Sequence, residues 1–199
     1  MNSLIIIGAS GHGSVIADMA SELGYSVFFW DDDTNQSIDG YNVYKREYNI
    51  SLNSRLIIGI GSNKIREAIS LQYPRESYMS LFHKEAIISN KTKIATGTVV
   101  LAGAIINCGT SIGEHCILNT GALVDHDCEL GKYVHISPNA TLCGNVKIGS
   151  GTWIGAGATV IQGIKIGKNV TIGAGAVIIN DIPNDVTVVG NPGKIIKGN

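Results

Sequence analysis

The 199-residue sequence predicts a two-part chain, an α/β unit on a parallel sheet followed by a long parallel β-solenoid. Three observations carry that expectation. An aliphatic residue recurs every six positions through the C-terminal half, and a glycine-rich turn joins an apolar strand to a helix near the N-terminus. The chain also carries 25 glycines against only 4 prolines. The two domains are expected at residues 1–83 and 84–199.

The repeat is the firmest signal. From Ile88 in steps of six, the chain reads Ile94, Val100, Ile106, Ile112, Leu118, Val124, Leu130 and Ile136. It continues through Leu142, Ile148, Ile154, Val160, Ile166 and Ile172 to Ile178 without an insertion. Four residues after most of these, the side chain is small or β-branched, as at Thr98, Ala104, Thr110, Cys116, Ala122, Cys128 and Ala140. A helix cannot use a period of six, which matches neither 3.6 nor 7. Short extended segments that turn a corner each time can, and coils of that kind stack so that each touches only its neighbours. Gly113, Gly131, Gly149, Gly155, Gly167 and Gly173 follow aliphatic positions. These glycines, with recurring asparagines, are expected to serve the bends, where positive φ is tolerated.

Residues 4–7 have the pattern of a buried strand, followed by Gly8-Ala9-Ser10-Gly11-His12-Gly13 and a helical stretch from Ser14 to Leu23. Val15, Met19 and Leu23 are expected to face the sheet. A second strand over Ser26–Trp30 ends at Asp31-Asp32-Asp33. A third, over Leu56–Ile60, runs into Gly61-Ser62-Asn63 and a helix from Lys64 to Leu71, and a last short strand is expected over Tyr78–Phe82. This alternation argues for a parallel sheet with ligands at its strand C-termini. A glycine-rich turn opening a helix brings backbone N–H groups close to an anion. The motif reads G-x-x-G-x-G rather than G-x-G-x-x-G, and the unit is about half a full dinucleotide fold, so one nucleotide half-site is the better fit.

Composition excludes several classes. Net charge is −1, and 16% of residues are charged against 44% hydrophobic. No electrostatic footprint for nucleic acid or an anionic membrane results. No apolar run approaches the roughly 20 residues that span a bilayer. Leu4–Ile7 is too short for a signal peptide and lacks a basic leader, so a cytoplasmic protein is expected. Cys108, Cys116, Cys128 and Cys143 show no C-x-x-C pairing, which suits structural thiols in a reducing compartment. Residues 1–87 carry 7 Lys/Arg against 10 Asp/Glu, including every arginine, whereas residues 88–199 carry 8 lysines against 6 acids.

The order G-A-S-G-H-G, D-D, I-G-S-N-K-I-R, an uninterrupted hexad solenoid, then Val189-Gly190-Asn191-Pro192-Gly193-Lys194 resembles the PglD/NeuD-type sugar acyltransferases. The resemblance implies a Rossmann-like first domain and a left-handed parallel β-helix with three hexads per coil, so that residues 18 apart stack. It implies acetyl-CoA as cosubstrate, a homotrimer, and acetylation of a UDP-4-amino-sugar in bacterial surface-glycan synthesis. The base motif of such proteins, a histidine followed by an acid, falls on His126 and Asp127; the acid is usually Glu, and Asp is one methylene shorter. Independently, His126 lies two residues past an aliphatic position, facing outward, with small Cys108 and Gly144 at ±18 and Asp125 beside it. Histidine suits proton abstraction near neutral pH.

By the same resemblance His135, at a corner following Tyr133, contacts acetyl-CoA, as do Ala156 and Ala174 within their G-A-G triplets. Pro192 and Lys194 belong to the loop over the nucleotide end of CoA. Ser10, Gly11, His12, Asp31, Asp32 and Gly61 are assigned to the nucleotide-sugar, with Asp33 as an additional acid. O-acetylation of a sialic acid is the neighbouring alternative, and a non-catalytic nucleotide-sugar-binding trimer is one of another class. A zinc site of the γ-carbonic-anhydrase type is disfavoured, because His115, His126 and His135 neither stack at 18 nor pair at five. No metal, nucleic acid or membrane insertion is expected.

Overall fold

The computed structural model describes residues 3–34, 36–47 and 55–198. It divides into two units, Met1–Leu81 and Phe82–Asn199. Among the described residues no helix is long and apolar enough to cross a membrane.

The first unit holds strands β1 (Ser3–Ile7), β2 (Ser26–Asp31), β3 (Val43–Lys45) and β4 (Leu56–Ile58), with helices α1 (Gly11–Glu22) and α2 (Asn63–Ser70). The four strands form one parallel sheet in the order β3-β2-β1-β4. Leu4 to Ile7 and Leu56 to Ile58 are all buried, as expected for strands covered on both faces. Strand order reverses at β1, and ligands favour such a switch point.

Several details differ from the sequence expectation, among them β3, which no sequence pattern announced. Helix α1 begins at Gly11, three residues early, because Ser10 caps it with its hydroxyl toward the Gly13 N–H. Its buried stripe runs through Ile16, Ala17, Met19 and Ala20, while Val15 and Leu23 are exposed. Small alanines let the helix lie close to the sheet, and a stripe counted from large side chains alone passes over them. The strand expected over Tyr78–Phe82 is reduced to Leu81–Phe82, which belongs to a sheet of the solenoid, and Tyr78 makes only an isolated bridge to Leu56.

The second unit is a prism of two-residue strands from Ile87–Ile88 to Val177–Ile178. Each pairs in parallel with the segment 18 residues away, as in Ser111↔Glu129, Ile117↔His135 and Leu123↔Thr141. Three sheets result, one per face. Every aliphatic repeat position from Val100 to Ile178 is buried, and so is the small position four residues later from Thr98 to Ala176. Buried threonines there keep their polar atoms satisfied. Thr110 Oγ1 donates to the Asp125 carbonyl and accepts from the Cys128 N–H, and Thr152 repeats the device with Gly167 and Val170. A terminal hairpin, Val186–Val189 with Lys194–Gly198, continues one face.

The glycines divide between two jobs, and the division differs from expectation. Positive φ recurs every six residues, three positions after the aliphatic one and two later than the glycines expected at the bends, at Gly97, Gly103, Gly109, Gly121, Gly151, Gly157, Gly163 and Gly175. His115, Asp127, Tyr133, Asn139, Asn145 and Asn169 take the same conformation in that series. The glycines that directly follow aliphatic positions are needed for close stacking instead. A Cβ on Gly149 would lie 2.5 Å from the Gly167 carbonyl carbon, and one on Gly113 would lie 2.6 Å from that of Gly131.

A paired substitution separates the two jobs. Gly149→Ala should destabilise by about 1–3 kcal/mol through overpacking between coils. Gly163→Asn should cost well under about 1 kcal/mol, because Gly163 has open space and Asn145 already holds positive φ one coil earlier. Thermal denaturation of the two variants, showing the larger loss at Gly149, is the check.

Candidate active site

His126 and Asp127 sit in the turn between strands Leu123–Val124 and Glu129–Leu130, at the corner between two faces of the prism. Asp127 reaches the imidazole despite its shorter side chain, with His126 Nδ1 2.9 Å from Asp127 Oδ2. Left-handed backbone at Asp127, φ 57°, folds the carboxylate back over the preceding residue. A carboxylate only accepts, so Nδ1 carries the proton and the lone pair is at Nε2. Both side chains stay more than half exposed. The bond to Asp127 and then the charge of Asp125 hold the imidazole pKa above its ordinary value.

Two glycines make room for this pair. A Cβ on Gly144 would fall 2.6 Å from His126 Cε1 and Nε2, so the ring lies against the following coil. A Cβ on Gly109 would fall 2.2 Å from Asp127 Oδ1, so the carboxylate occupies space on the preceding one. Asp125 accepts the His126 N–H and the Asn107 amide on one oxygen, each at 2.8 Å. Cys128 points inward, and burial pushes its thiol pKa up, which makes it a poor nucleophile. Cys108 is exposed one coil before His126.

His135 is not at a corner. It lies on strand His135–Ile136, buried on a face, its ring stacked on Trp153 at 5.7 Å and its Nε2 3.1 Å from the Asn119 amide nitrogen. Ala156 and Ala174 are exposed in stacked turns that follow that same face, joined by the Gly175 N–H to the Ala156 carbonyl at 2.8 Å. With Gly155, Gly157, Gly173 and Gly175 they form a flat wall. Pro192 and Lys194 lie in the terminal hairpin, where the Gly193 N–H is tied to the Val177 carbonyl. The strands flanking His126 belong to the other two faces. One chain therefore brings His126 together with Asp127 but places His135 on the opposite side of the prism.

In the first unit, Asp31 and Asp32 line a cleft of about 470 Å³ with Trp30, Asp33, Arg46 and Lys64. Asp31 is committed to backbone, accepting from the N–H groups of Ala9, Asp33 and Thr34. Asp32 is paired with the Arg46 guanidinium. Ser10 spends its hydroxyl on Gly59 and Gly13. The glycines again separate. Cβ atoms on Gly8, Gly13 or Gly59 would collide with neighbouring atoms, whereas Gly11 and Gly61 face open space. His12 is held at about 4 by burial first and the Arg66 charge second, so it is neutral at pH 7.

Several residues escaped the sequence reading. Arg66 is 1% exposed and its guanidinium donates to the carbonyls of Ile60 and Gly61 and to Asn63 Oδ1, clamping the turn after β4. No local pattern announces a buried arginine. Arg46 and Lys64 join the cleft from segments far apart in sequence. Asn107 and Gly109, by contrast, lie 18 residues before Asp125 and Asp127 and were reachable by the stacking interval. Among the described residues no three His, Cys, Asp or Glu side chains converge to hold a metal ion.

The PglD N-terminal domain family matches residues 3–73. The bacterial transferase hexapeptide family (six repeats) matches residues 109–144 and 145–180. No curated protein resembles the chain closely enough to count as a match. The acetyltransferase domain of PglB from Neisseria gonorrhoeae FA1090 is 40% identical at a TM-score of 0.94, covering 98% of this chain and 100% of its own. The same domain has been solved in complex with acetyl coenzyme A. A His-to-Asn mutant of perosamine N-acetyltransferase from Caulobacter crescentus, in complex with CoA and GDP-perosamine, is 33% identical at a TM-score of 0.93, covering 100% of this chain and 98% of its own. WeeI from Acinetobacter baumannii AYE is 26% identical at a TM-score of 0.91, covering 97% and 99%. Similarity at this level over the full length, together with both family matches, makes the chain a member of the PglD/NeuD-type hexapeptide-repeat sugar acyltransferases, and an acetyltransferase.

Proposed function

We propose that this protein transfers the acetyl group of acetyl-CoA to the amino group of a UDP-4-amino-sugar in bacterial surface-glycan synthesis, with His126 as general base. The observation that carries this reading is the 2.9 Å contact between His126 Nδ1 and Asp127 Oδ2, which leaves a basic Nε2 at an exposed corner. The sugar amine attacks the thioester carbonyl, and Nε2 takes its proton as the C–N bond forms. Collapse of the tetrahedral intermediate breaks the C–S bond, and the proton passes to the departing CoA thiolate. Asp127 keeps Nδ1 protonated and stabilises the imidazolium that forms. A backbone N–H on the coil surface is the donor for the oxyanion. No acyl-enzyme is required.

The donor binds along His135, Ala156 and Ala174, with Pro192 and Lys194 toward its nucleotide end. Small side chains let the pantetheine arm lie flat, and backbone groups pair its amides. The acceptor's nucleotide binds the first unit, its pyrophosphate over the open turn of Ser10, Gly11 and His12, with Asp31, Asp32 and Gly61 beside it. A neutral His12 adds no charge of its own there. Because His126 and His135 lie on opposite sides of one prism, a complete site takes its base from one copy and its donor wall from another. A homotrimer supplies three such junctions. The face between the His126 turn and the Ala156 and Ala174 turns carries Ile87, Ile105 and Leu123 outward, an apolar patch on its first coils that gives way to Thr141 and Thr159.

Purified protein incubated with acetyl-CoA and a panel of amino-sugar nucleotides should release free thiol with a UDP-4-amino-sugar. No release with any UDP-amino-sugar sinks the reading, and release only with sialic acid would move it to O-acetylation. His126→Ala should lower kcat roughly 10²- to 10⁴-fold.

The pH dependence has a definite sign. The base must be neutral, so kcat/KM rises with pH through the His126 pKa, which lies above the ordinary value. Asp127→Asn removes the largest cause of that elevation, so the rising limb should move to lower pH while the plateau falls. Asparagine tolerates the positive φ at 127, so the fold is kept. A limb unmoved by this substitution would remove Asp127 from the mechanism.

Subunit mixing tests the shared site. His126→Ala and Ala174→Trp trimers should each be inactive, and trimers co-assembled from both should recover activity. Absence of recovery in confirmed mixed trimers would place the whole site within one chain.

A further inference from the structure

We propose that Asn107 is a positioning residue for His126, acting through the carboxylate of Asp125. The inference rests on the reading of His126 as the base. Asn107 and Asp125 occupy the same place in successive coils, and Asn107 Nδ2 donates to Asp125 Oδ1 at 2.8 Å. The same oxygen accepts the His126 N–H at 2.8 Å. The carboxylate is thus pinned between a side chain of the preceding coil and the backbone of the residue it serves. Its main chain is pinned as well, since Thr110 Oγ1 donates to the Asp125 carbonyl at 2.8 Å. On the other flank the Asp127 N–H is bound to the Cys108 carbonyl at 3.0 Å. The preceding coil therefore grips the Asp125–Asp127 segment at three points, of which the Asn107 amide is the one on an exposed side chain.

The consequence is electrostatic as well as geometric. An aspartate on an exposed corner samples several rotamers, and most point its charge away from the next residue. Held by Asn107, the Asp125 carboxylate stays at the start of the imidazole's own peptide and adds to the effect of Asp127. The Asn107 bond, ahead of the His126 N–H, holds the Asp125 pKa below the usual carboxylate range, so it stays ionised wherever the base operates. The other titratable groups near the imidazole are few. Cys108 stacks before it, Cys143 stacks after Asp125, and Cys128 is buried beneath the turn. Around Asp127 a shallow cleft is lined by Lys91, Lys93 and Glu129. None of these is placed to substitute for the Asn107 amide on Asp125 Oδ1.

Asn107→Ala removes the pin and leaves every group on the His126 turn chemically intact. The expected results are a fall in kcat of about three- to tenfold, the loss of one hydrogen bond's ordering, with KM for acetyl-CoA little changed. The pKa of His126, read directly by NMR titration of the labelled histidine ring, should move down toward the ordinary value. Asp125→Asn should move it in the same direction, and Asn107→Ala should add nothing in the Asp125→Asn background, since the two act as one unit. A His126 titration unchanged in Asn107→Ala, or a shift that adds in the double variant, overturns the proposal. The titration reads the imidazole whether or not it is the base. Full activity in His126→Ala with a downward shift in Asn107→Ala would therefore sink the base reading alone.

Discussion

The constraint on which the second unit depends is the fixed 18-residue rise of its coils. Two-residue strands pair with segments 18 positions away on either side, so each residue has predetermined neighbours above and below. That single rule accounts for the core, where aliphatic side chains stack on aliphatic side chains from Val100 to Ile178. It accounts equally for the glycines that let adjacent turns touch at Gly113, Gly131 and Gly149. A parallel ladder of this kind is locally rigid because no turn can shift without breaking hydrogen bonds to both neighbours. Chemistry placed on such a wall is held by the wall.

The corner at His126 shows how the rule makes a site. Histidine and aspartate are adjacent in sequence, yet their geometry is set by residues 18 away on either side. Gly109 leaves the space for the Asp127 carboxylate, Gly144 leaves the space for the ring, and Asn107 ties the neighbouring Asp125. The positive φ at Asp127 recurs every six residues along the solenoid, and a carboxylate at this one turn folds it onto the imidazole. The same three-face rule separates His126 from His135 within one chain. The first unit follows a different logic, in which glycines 8, 13 and 59 press strand, turn and helix together while Gly11 and Gly61 stay open.

Legibility in the sequence followed the range of the interactions. The hexad period and its buried positions were readable because each repeat reports on itself. The reach of Asp127 was not, since it depends on a backbone φ that only the coil dictates. The face of helix α1 is not legible from its large side chains, because its stripe passes through the fully buried Ala17 and Ala20. His135 was misread as a corner residue, although Trp153, 18 positions on, is the partner on which its ring stacks. The cleft lined by Trp30, Arg46 and Lys64 assembles from distant segments that no local spacing brings together. Arg66 clamps its own turn, within six residues, but nothing in the local pattern shows that its charge is buried.

The proposed site joins a base fixed by the coil register of one copy to a donor wall supplied by another. A crystal structure of the protein with CoA and a UDP-4-amino-sugar tests it most directly. The CoA sulfur and the sugar nitrogen are expected close to His126 Nε2, with the pantetheine arm running along Ala156 and Ala174 of a second copy. A CoA bound entirely along one chain, or a sugar nitrogen out of reach of His126, would contradict it.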